Sequence, residues 1–186
     1  HHEKFYMRMD IPVIGKIKNN GTVEGGDCLW INKNTLLVGE SHRTNKEGIQ
    51  QLKIILKKFN IDLIPIKLPK YKDTESCFHL MSIISMLDHD LALACFSKLP
   101  FELINILKEY KINLISIPED EYSKSETLAV NCLAIAPRKL ILISGYPKTQ
   151  ELLLKENNEI NLFNGDELCL KAEGGPTCLT RPLKRC

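Results

Sequence analysis

Residues 27–66 read DCLWINKNTLLVGESHRTNKEGIQQLKIILKKFNIDLIPI and contain one complete structural unit. The short apolar runs Asp27–Ile31 and Thr35–Gly39 predict two strands. Apolar residues then recur at helical spacing over Lys46–Phe59, which predicts an amphipathic helix, and Ile61–Ile66 predicts a third strand. The predicted unit is therefore strand–strand–helix–strand, or ββαβ.

The same order of segments recurs twice more along the chain, with a period of about fifty residues, which indicates a repeat architecture. The corresponding segments are Phe78–Ser85, Leu91–Phe96, Pro100–Tyr110 and Ile112–Ile117 in the second unit, and Asn131–Ala136, Leu140–Gly145, Pro147–Glu156 and Ile160–Phe163 in the third.

Polar residues occupy the position that opens the first strand of successive units. They are Asp27, His79, Asn131 and Cys178, separated by 52, 52 and 47 residues. If the units pack around a pseudo-rotation axis, these side chains converge on one central site. The sequence therefore predicts an α/β fold, a propeller-like ring of ββαβ modules.

The N-terminal segments predict part of a further module. Glu3–Met9 has the pattern of a helix and Ile11–Ile17 that of its closing strand, so the chain is expected to begin in mid-module. An unclosed ring exposes a sheet edge. We therefore expect residues 1–186 to form one partial propeller domain that is N-terminally incomplete. His1-His2 is set aside as a tag remnant.

Composition and charge favour an ordinary globular protein. The chain is 44% apolar and 26% charged, and a net charge of +2 is too small to indicate a nucleic-acid or membrane surface. No apolar run approaches the roughly 20 residues of a membrane span, and no signal peptide is recognisable. The basic residues Arg181, Lys184 and Arg185 are interpreted as a solvated tail.

The seven cysteines predict reduced thiols. Their number is odd and most lie in apolar runs, as in Leu93-Ala94-Cys95-Phe96, which favours a cytoplasmic protein. Cys-x-x-Cys spacing does not occur in the sequence, which argues against a structural zinc site.

Three segments carry groups suited to catalysis: Glu24-Gly25-Gly26-Asp27, Cys77-Phe78-His79-Leu80 and Gly174-Gly175-Pro176-Thr177-Cys178. A thiol after a glycine pair can be presented by a sharp bend, and the other segments add an imidazole and two carboxylates. Each alone has a structural alternative: a core thiol, a core histidine or an acidic turn. Their common phase in the repeat favours the functional interpretation.

These motifs, with Ser41-His42-Arg43-Thr44-Asn45 and Asn131-Cys132-Leu133-Ala134, resemble the guanidino-group-modifying enzymes. That superfamily includes dimethylarginine dimethylaminohydrolases, arginine deiminases and amidinotransferases. The resemblance runs from about Ile11 to Arg185, with the motifs in family order. It implies a pentein-type α/β-propeller of five modules.

The resemblance also implies residue roles. Cys178 matches the cysteine that attacks the guanidinium carbon and forms a covalent thiouronium. His79 matches the histidine that protonates the leaving amine and then activates water, and Glu24 matches the acid that orients it. Arg43 matches an arginine that binds the substrate α-carboxylate. Asp27 belongs to the same motif and is expected to contact the substrate.

General chemistry agrees with these roles. A guanidinium carbon is a poor electrophile, so attack needs a thiolate. The basic amine must leave protonated, and histidine suits proton transfer near neutral pH. An arginine fork binds a carboxylate through two parallel hydrogen bonds.

Two departures from the family pattern concern the substrate and the completeness of the site. Arginine deiminases carry an aspartate two residues after the histidine, where this chain has Met81. The dimethylarginine hydrolases also lack this aspartate, which favours a substrate with a substituted guanidinium. The family's guanidinium-binding aspartate of an N-terminal module has no counterpart here.

The sequence thus predicts a cytoplasmic, cysteine-dependent hydrolase of arginine or N-methylated arginine, giving citrulline and an amine. It is expected to need no metal or organic cofactor and to bind neither nucleic acid nor membranes, and an open ring favours self-association. The alternatives are an amidinotransferase that uses the same intermediate and a propeller that only binds ligands.

Overall fold

The computed structural model describes residues 2–69, 78–180 and 182, and these contain nine strands. The strands are β1 Cys28–Asn32, β2 Thr35–Glu40, β3 Asp62–Lys67, β4 Ile84–Met86, β5 Leu91–Ala94, β6 Asn113–Ser116, β7 Leu133–Ala136, β8 Lys139–Ile143 and β9 Glu159–Phe163. The helices are α1 His2–Arg8, α2 Lys46–Lys57, α3 Phe101–Glu109, α4 Glu119–Lys124, α5 Pro147–Lys155 and α6 Pro176–Leu179, and a single π turn covers Asp166–Leu170.

The strands form three separate three-stranded sheets of identical topology. In each sheet the first two strands are antiparallel, and a helix then returns the chain so that the third strand runs parallel to the second. The predicted ββαβ unit is therefore confirmed three times. We call these units modules 1, 2 and 3, over residues 28–67, 84–116 and 133–163.

The helix of module 1 shows why the sequence forms these elements. The side chain of Asn45 accepts a hydrogen bond from the Gly48 backbone N–H and so caps the first turn of α2. Ile49 and Leu56 lie on its buried face and pack with Leu36 of β2. The apolar stripe read from the sequence is thus the face that meets the sheet.

Apolar clusters join neighbouring modules. β5 is buried on both sides: Leu91 and Leu93 pack towards module 3, whereas Ala92 and Ala94 pack with residues of module 1. The middle module therefore shares one core with each neighbour. An ion pair reinforces the boundary between modules 2 and 3, where Arg138 contacts the carboxylate of Asp88 at 2.9 Å.

Three predictions about elements are wrong. Ile11–Ile17 is mostly exposed and forms no strand, so only the helix of the predicted N-terminal half-module is present. The segment Phe78–Ser85 begins with a 3₁₀ turn, Leu80–Ser82, and becomes strand only from Ile84. Cys178 lies within the one-turn helix α6 and does not open a strand. At the last two points hydrogen bonds stabilise a turn in place of a strand: the Leu80 N–H donates to Asp27 and the Cys178 N–H donates to the Gly175 carbonyl.

None of the helices in the described part of the chain has both the length and the apolar character that crossing a lipid bilayer would require.

Candidate active site

A cavity of about 770 Å³ opens where the segments that lead into the modules meet. We call residues 24–27, 79–82 and 128–131 the lead-in turns; each contains a short 3₁₀ turn just before its module. The cavity wall brings together four predicted site residues, Glu24, Arg43, His79 and Cys178, and also includes Asn131. For His79, Asn131 and Cys178, the common phase in the repeat therefore corresponds to proximity in space.

Cys178 reaches the cavity from α6 and is exposed to solvent. The chain turns sharply before it, because Glu173 has a positive φ of 53° and the Gly174 backbone N–H donates to the Cys169 carbonyl at 3.0 Å. The Cys178 backbone N–H donates to the carbonyl of Gly175, also at 3.0 Å. These bonds present the thiol at the tip of a defined bend.

The glycine pair before the thiol is explained by close packing. A Cβ atom on Gly175 would lie 2.3 Å from Cγ of Asn131, a distance that no side chain tolerates. The loop can therefore sit directly on the Asn131 amide only because residue 175 is glycine.

His79 is buried, with 7% of its surface exposed, and both ring nitrogens have partners. Nε2 lies 3.3 Å from Oε1 of Glu24, and Nδ1 lies 3.3 Å from the hydroxyl of Ser82. The Ser82 hydroxyl can accept from the charged ring or donate to the neutral ring. Gly26 lies against the ring, where a Cβ would come within 2.8 Å of it. The imidazole is held between three supports.

Glu24 contacts two basic side chains at once. Its Oε1 faces His79, while its Oε2 forms an ion pair with Nε of Arg43. The backbone N–H of Glu24 donates to the hydroxyl of buried Thr44 at 2.9 Å, which fixes the start of the lead-in turn. Arg43, predicted to bind only substrate, is thus also part of the network that orients the histidine.

Asp27 does not reach the cavity and is completely buried. Its Oδ2 accepts a hydrogen bond from the Ser41 hydroxyl at 2.7 Å, and its Oδ1 accepts one from the Leu80 backbone N–H at 3.0 Å. The structure thus departs from the expectation that Asp27 contacts substrate, because both oxygens are engaged and shielded from solvent. Its carboxylate joins module 1 to the residue that follows His79.

Two cavity residues were underestimated by sequence reasoning. Asn131, marked in the sequence by its phase in the repeat and given no catalytic role, donates from its side chain to Sγ of Cys178. Ser82, which contacts His79, was missed altogether. A signal existed for both: Asn131 shares the repeat phase of the other site residues, and Ser82 stands three residues after His79, where a reciprocal cap can form.

The other described cysteines contrast with Cys178. Burial raises the pKa of Cys132 to about 12, and burial is also the main cause of the raised pKa of Cys95 and of Cys169. These three thiols are buried and form no disulfide, as the sequence predicts for core cysteines, and Cys28 is half-buried and likewise outside any disulfide. Cys77 and Cys186 lie outside the described residues, as do the tail residues Arg181, Lys184 and Arg185. His42 and His89 lie at the surface.

This geometry can be set beside known proteins. A sequence profile of the arginine deiminase family matches residues 1–99, more than half of the chain. The chain belongs to the arginine deiminase family. The resemblance to guanidino-group-modifying enzymes that the motifs carry is thereby confirmed.

Individual relatives support the same assignment. The dimethylarginine dimethylaminohydrolase of Pseudomonas aeruginosa is 29% identical over 167 residues, which cover 90% of this chain and 58% of that one. A crystallised cysteine-to-serine variant of the P. aeruginosa enzyme, in complex with citrulline, superposes with a TM-score of 0.68 at 30% identity over 87% of this chain and 56% of that one.

A second structural neighbour supports the fold alone. The N-terminal domain of ArgZ, a cyanobacterial arginine dihydrolase, gives a TM-score of 0.79 at 18% identity over 98% of this chain and 64% of that one. The chain spans about half the length of the curated relatives that it matches, 58% and 51% in two cases. These likenesses establish a mixed α/β fold of the kind found in this family.

Proposed function

We propose that this protein is a cysteine-dependent hydrolase of a guanidino group, acting on arginine or an N-methylated arginine. The observation that carries the proposal is the meeting of Cys178, His79 and Glu24 at one cavity in a chain of the arginine deiminase family. A nucleophile, a proton carrier and a carboxylate that orients the carrier are the groups that such a reaction needs.

In the first half-reaction, the Cys178 thiolate attacks the guanidinium carbon and forms a C–S bond. The tetrahedral adduct then breaks its bond to one nitrogen, which leaves as a neutral amine after His79 has given it a proton. The product is a thiouronium bonded to Cys178. Glu24 stabilises the charged form of His79 that this step requires, because its carboxylate faces Nε2.

In the second half-reaction, water occupies the place that the amine has left. His79, now neutral, takes one proton from the water as its oxygen attacks the thiouronium carbon. The C–S bond then breaks and returns the electron pair to sulfur. The remaining hydroxyl proton passes to solvent, where the released amine takes it up, and the neutral ureido product leaves. No oxidant or reductant takes part, so the proposed cycle balances without a cofactor.

Two side chains support the choice of substrate. Half-buried Met81 lines the cavity two residues after His79. An apolar side chain at this position favours a guanidinium that carries alkyl groups over an unsubstituted one. Arg43 also lines the cavity and can turn from Glu24 to the α-carboxylate of an amino-acid substrate.

The architecture and location follow as part of the same proposal. Three modules of identical topology around one cavity support a single, partial propeller domain over residues 1–186. The free, buried cysteines support a cytoplasmic location, where thiols stay reduced.

The test is product formation from arginine and from dimethylarginine, measured as the ureido group, with and without an added amine acceptor. Ureido product from either substrate alone supports the hydrolase. Transfer only when an acceptor amine is present reassigns the chain to amidinotransfer. If neither occurs although a guanidino ligand protects Cys178 from alkylation, the protein binds without catalysis and the proposal fails.

A further inference from the structure

The side chain of Asn131 lies between the thiol and the loop that carries it. Asn131 is buried, with 6% of its surface exposed, and follows the 3₁₀ turn Leu128–Val130. Its Oδ1 accepts hydrogen bonds from the Thr177 backbone N–H at 3.0 Å and from the Thr177 hydroxyl at 2.9 Å. Its Nδ2 lies 3.4 Å from Sγ of Cys178. One amide group therefore contacts both the loop and the sulfur.

Chemistry fixes which end of the amide faces the sulfur. The Thr177 backbone N–H can only donate, so the atom that it meets must be the amide oxygen. The NH₂ group of Asn131 must then point to Cys178, as a hydrogen-bond donor.

The surroundings prevent this donor from turning away. Val130 and Cys132 on either side of Asn131 are buried in the core shared by modules 2 and 3. Gly175 lies against the other side of the amide, in contact so close that a methyl group would not fit. The donor is held in place before any substrate arrives, which is the condition for preorganised stabilisation of charge.

We propose that Asn131 is a catalytic residue that donates a hydrogen bond to the Cys178 sulfur and stabilises its thiolate. This inference rests on the proposed function for its role in turnover. The same N–H would act twice in the cycle: it stabilises the thiolate that attacks, and later the thiolate that leaves when the C–S bond breaks. A hydrogen bond to an ionised group is about twice as strong as a neutral one.

Two variants test the donor. Asn131→Asp keeps the size and the oxygen that Thr177 needs, but it replaces the N–H donor with an oxygen that repels a thiolate. Asn131→Ala removes the donor and loosens the loop. We expect iodoacetamide at pH 7 to alkylate Cys178 at least about tenfold more slowly in each variant than in the wild type. Mass spectrometry of the peptide that carries Cys178 measures the rate.

This readout separates chemistry from support of the loop. Alkylation of an exposed thiol needs no aligned substrate, so a loosened loop would leave its rate unchanged or raise it, whereas loss of thiolate stabilisation lowers it. The matched control is Asn158→Asp, because Asn158 is also buried and donates to the Leu153 carbonyl, in the turn between α5 and β9. It should lower the unfolding temperature and leave the Cys178 alkylation rate within about twofold of the wild-type value.

Wild-type alkylation rates in both Asn131 variants would overturn the inference, whether or not the protein turns over a substrate. Because alkylation requires no turnover, failure of the hydrolase assay leaves this test intact. Slow alkylation together with absent turnover would support the donor and contradict the proposed reaction.

Discussion

At the scale of single residues, the cavity is organised by side chains that each serve two partners. Glu24 contacts His79 and Arg43, and Asn131 contacts Thr177 and Cys178. A substitution at Glu24 or Asn131 should therefore alter more than one kinetic parameter, because it removes the contacts with both partners of that residue.

Selective modification of cysteines is the first expected outcome at this scale. Cys178 should be alkylated in the native protein at pH 7, while Cys132 should react only after unfolding, because burial raises its pKa to about 12 and shields its sulfur. Peptide mass spectrometry in buffer and in urea makes the comparison. Rapid modification of Cys132 in the folded protein would contradict the described core.

Arg43→Ala should impair both binding and turnover of arginine. Loss of the fork removes a partner for the substrate carboxylate, and loss of the cation leaves Glu24 free to move away from His79. We expect kcat/KM to fall by about tenfold or more, with a higher KM and a lower kcat.

Agmatine, which lacks the carboxylate, provides the control for Arg43. Its KM should change little in Arg43→Ala, whereas its kcat should fall as it does for arginine. An unchanged KM for arginine would remove the carboxylate role, and an unchanged kcat for both substrates would remove the link through Glu24.

At the scale of elements, the N-terminus of α5 is capped from a distance. Tyr146 stands at the N-cap position without a side-chain cap, and Pro147 follows. The buried carboxylate of Glu121, on α4, accepts hydrogen bonds from the backbone N–H groups of Lys148 and Thr149 at 2.9 and 2.8 Å and from the Thr149 hydroxyl at 2.6 Å. This carboxylate holds α4 against module 3.

Glu121→Gln should therefore destabilise the fold. The amide keeps the shape but loses the charge that favours a helix N-terminus, and one of its ends can no longer accept. We expect the free energy of unfolding to fall by about 1–3 kcal/mol. Urea titration measures it, and Glu151→Gln, in an exposed pair with Lys155, serves as the control with a change below about 0.5 kcal/mol. Equal effects of the two substitutions would contradict the capping role.

The sequence predicts the regular elements well because their signals are local. Pro147 begins α5, and the apolar stripe of α2 lies on its buried face, as the spacing indicated. The sequence did not predict α4, since the link between Glu121 and Thr149 spans 28 residues and leaves no local pattern. The 3₁₀ turn after His79 was missed for a related reason, because Asp27 stabilises it from 53 residues away.

The candidate site shows the same division between features with local sequence signals and features set by distant contacts. Its residue types and their order were visible in the sequence, and so was their convergence, through the repeat. The direction of each side chain was not visible in the sequence. Asp27 carries a carboxylate that could bind a substrate but is completely buried, and Asn131 points at the Cys178 sulfur. Such directions depend on how the modules pack, which no single motif encodes.

At the scale of the whole molecule, the modules depend on one another for burial. Leu93 has no exposed surface and lies in the core that joins modules 2 and 3, whereas the single tryptophan, Trp30, lies in module 1. If the shared cores make the modules unfold cooperatively, a cavity created at Leu93 should lower the stability that Trp30 fluorescence reports.

Leu93→Ala tests this cooperativity. We expect a loss of about 2–5 kcal/mol in the free energy of unfolding, with the same shift seen by Trp30 fluorescence and by circular dichroism. Leu154→Ala, on the exposed face of α5, should change little. A shift seen by circular dichroism but absent from Trp30 would mean that module 1 unfolds independently.

The central claim is that Cys178 is the nucleophile, and the most direct measurement compares turnover in the wild-type protein with that in Cys178→Ser. Reactions with arginine and dimethylarginine are quenched in acid, and both the ureido product and the mass of the peptide carrying residue 178 are determined. The account predicts product and a thiouronium adduct on Cys178 in the wild type, and neither in a folded Cys178→Ser protein. Undiminished product from the serine variant would contradict it.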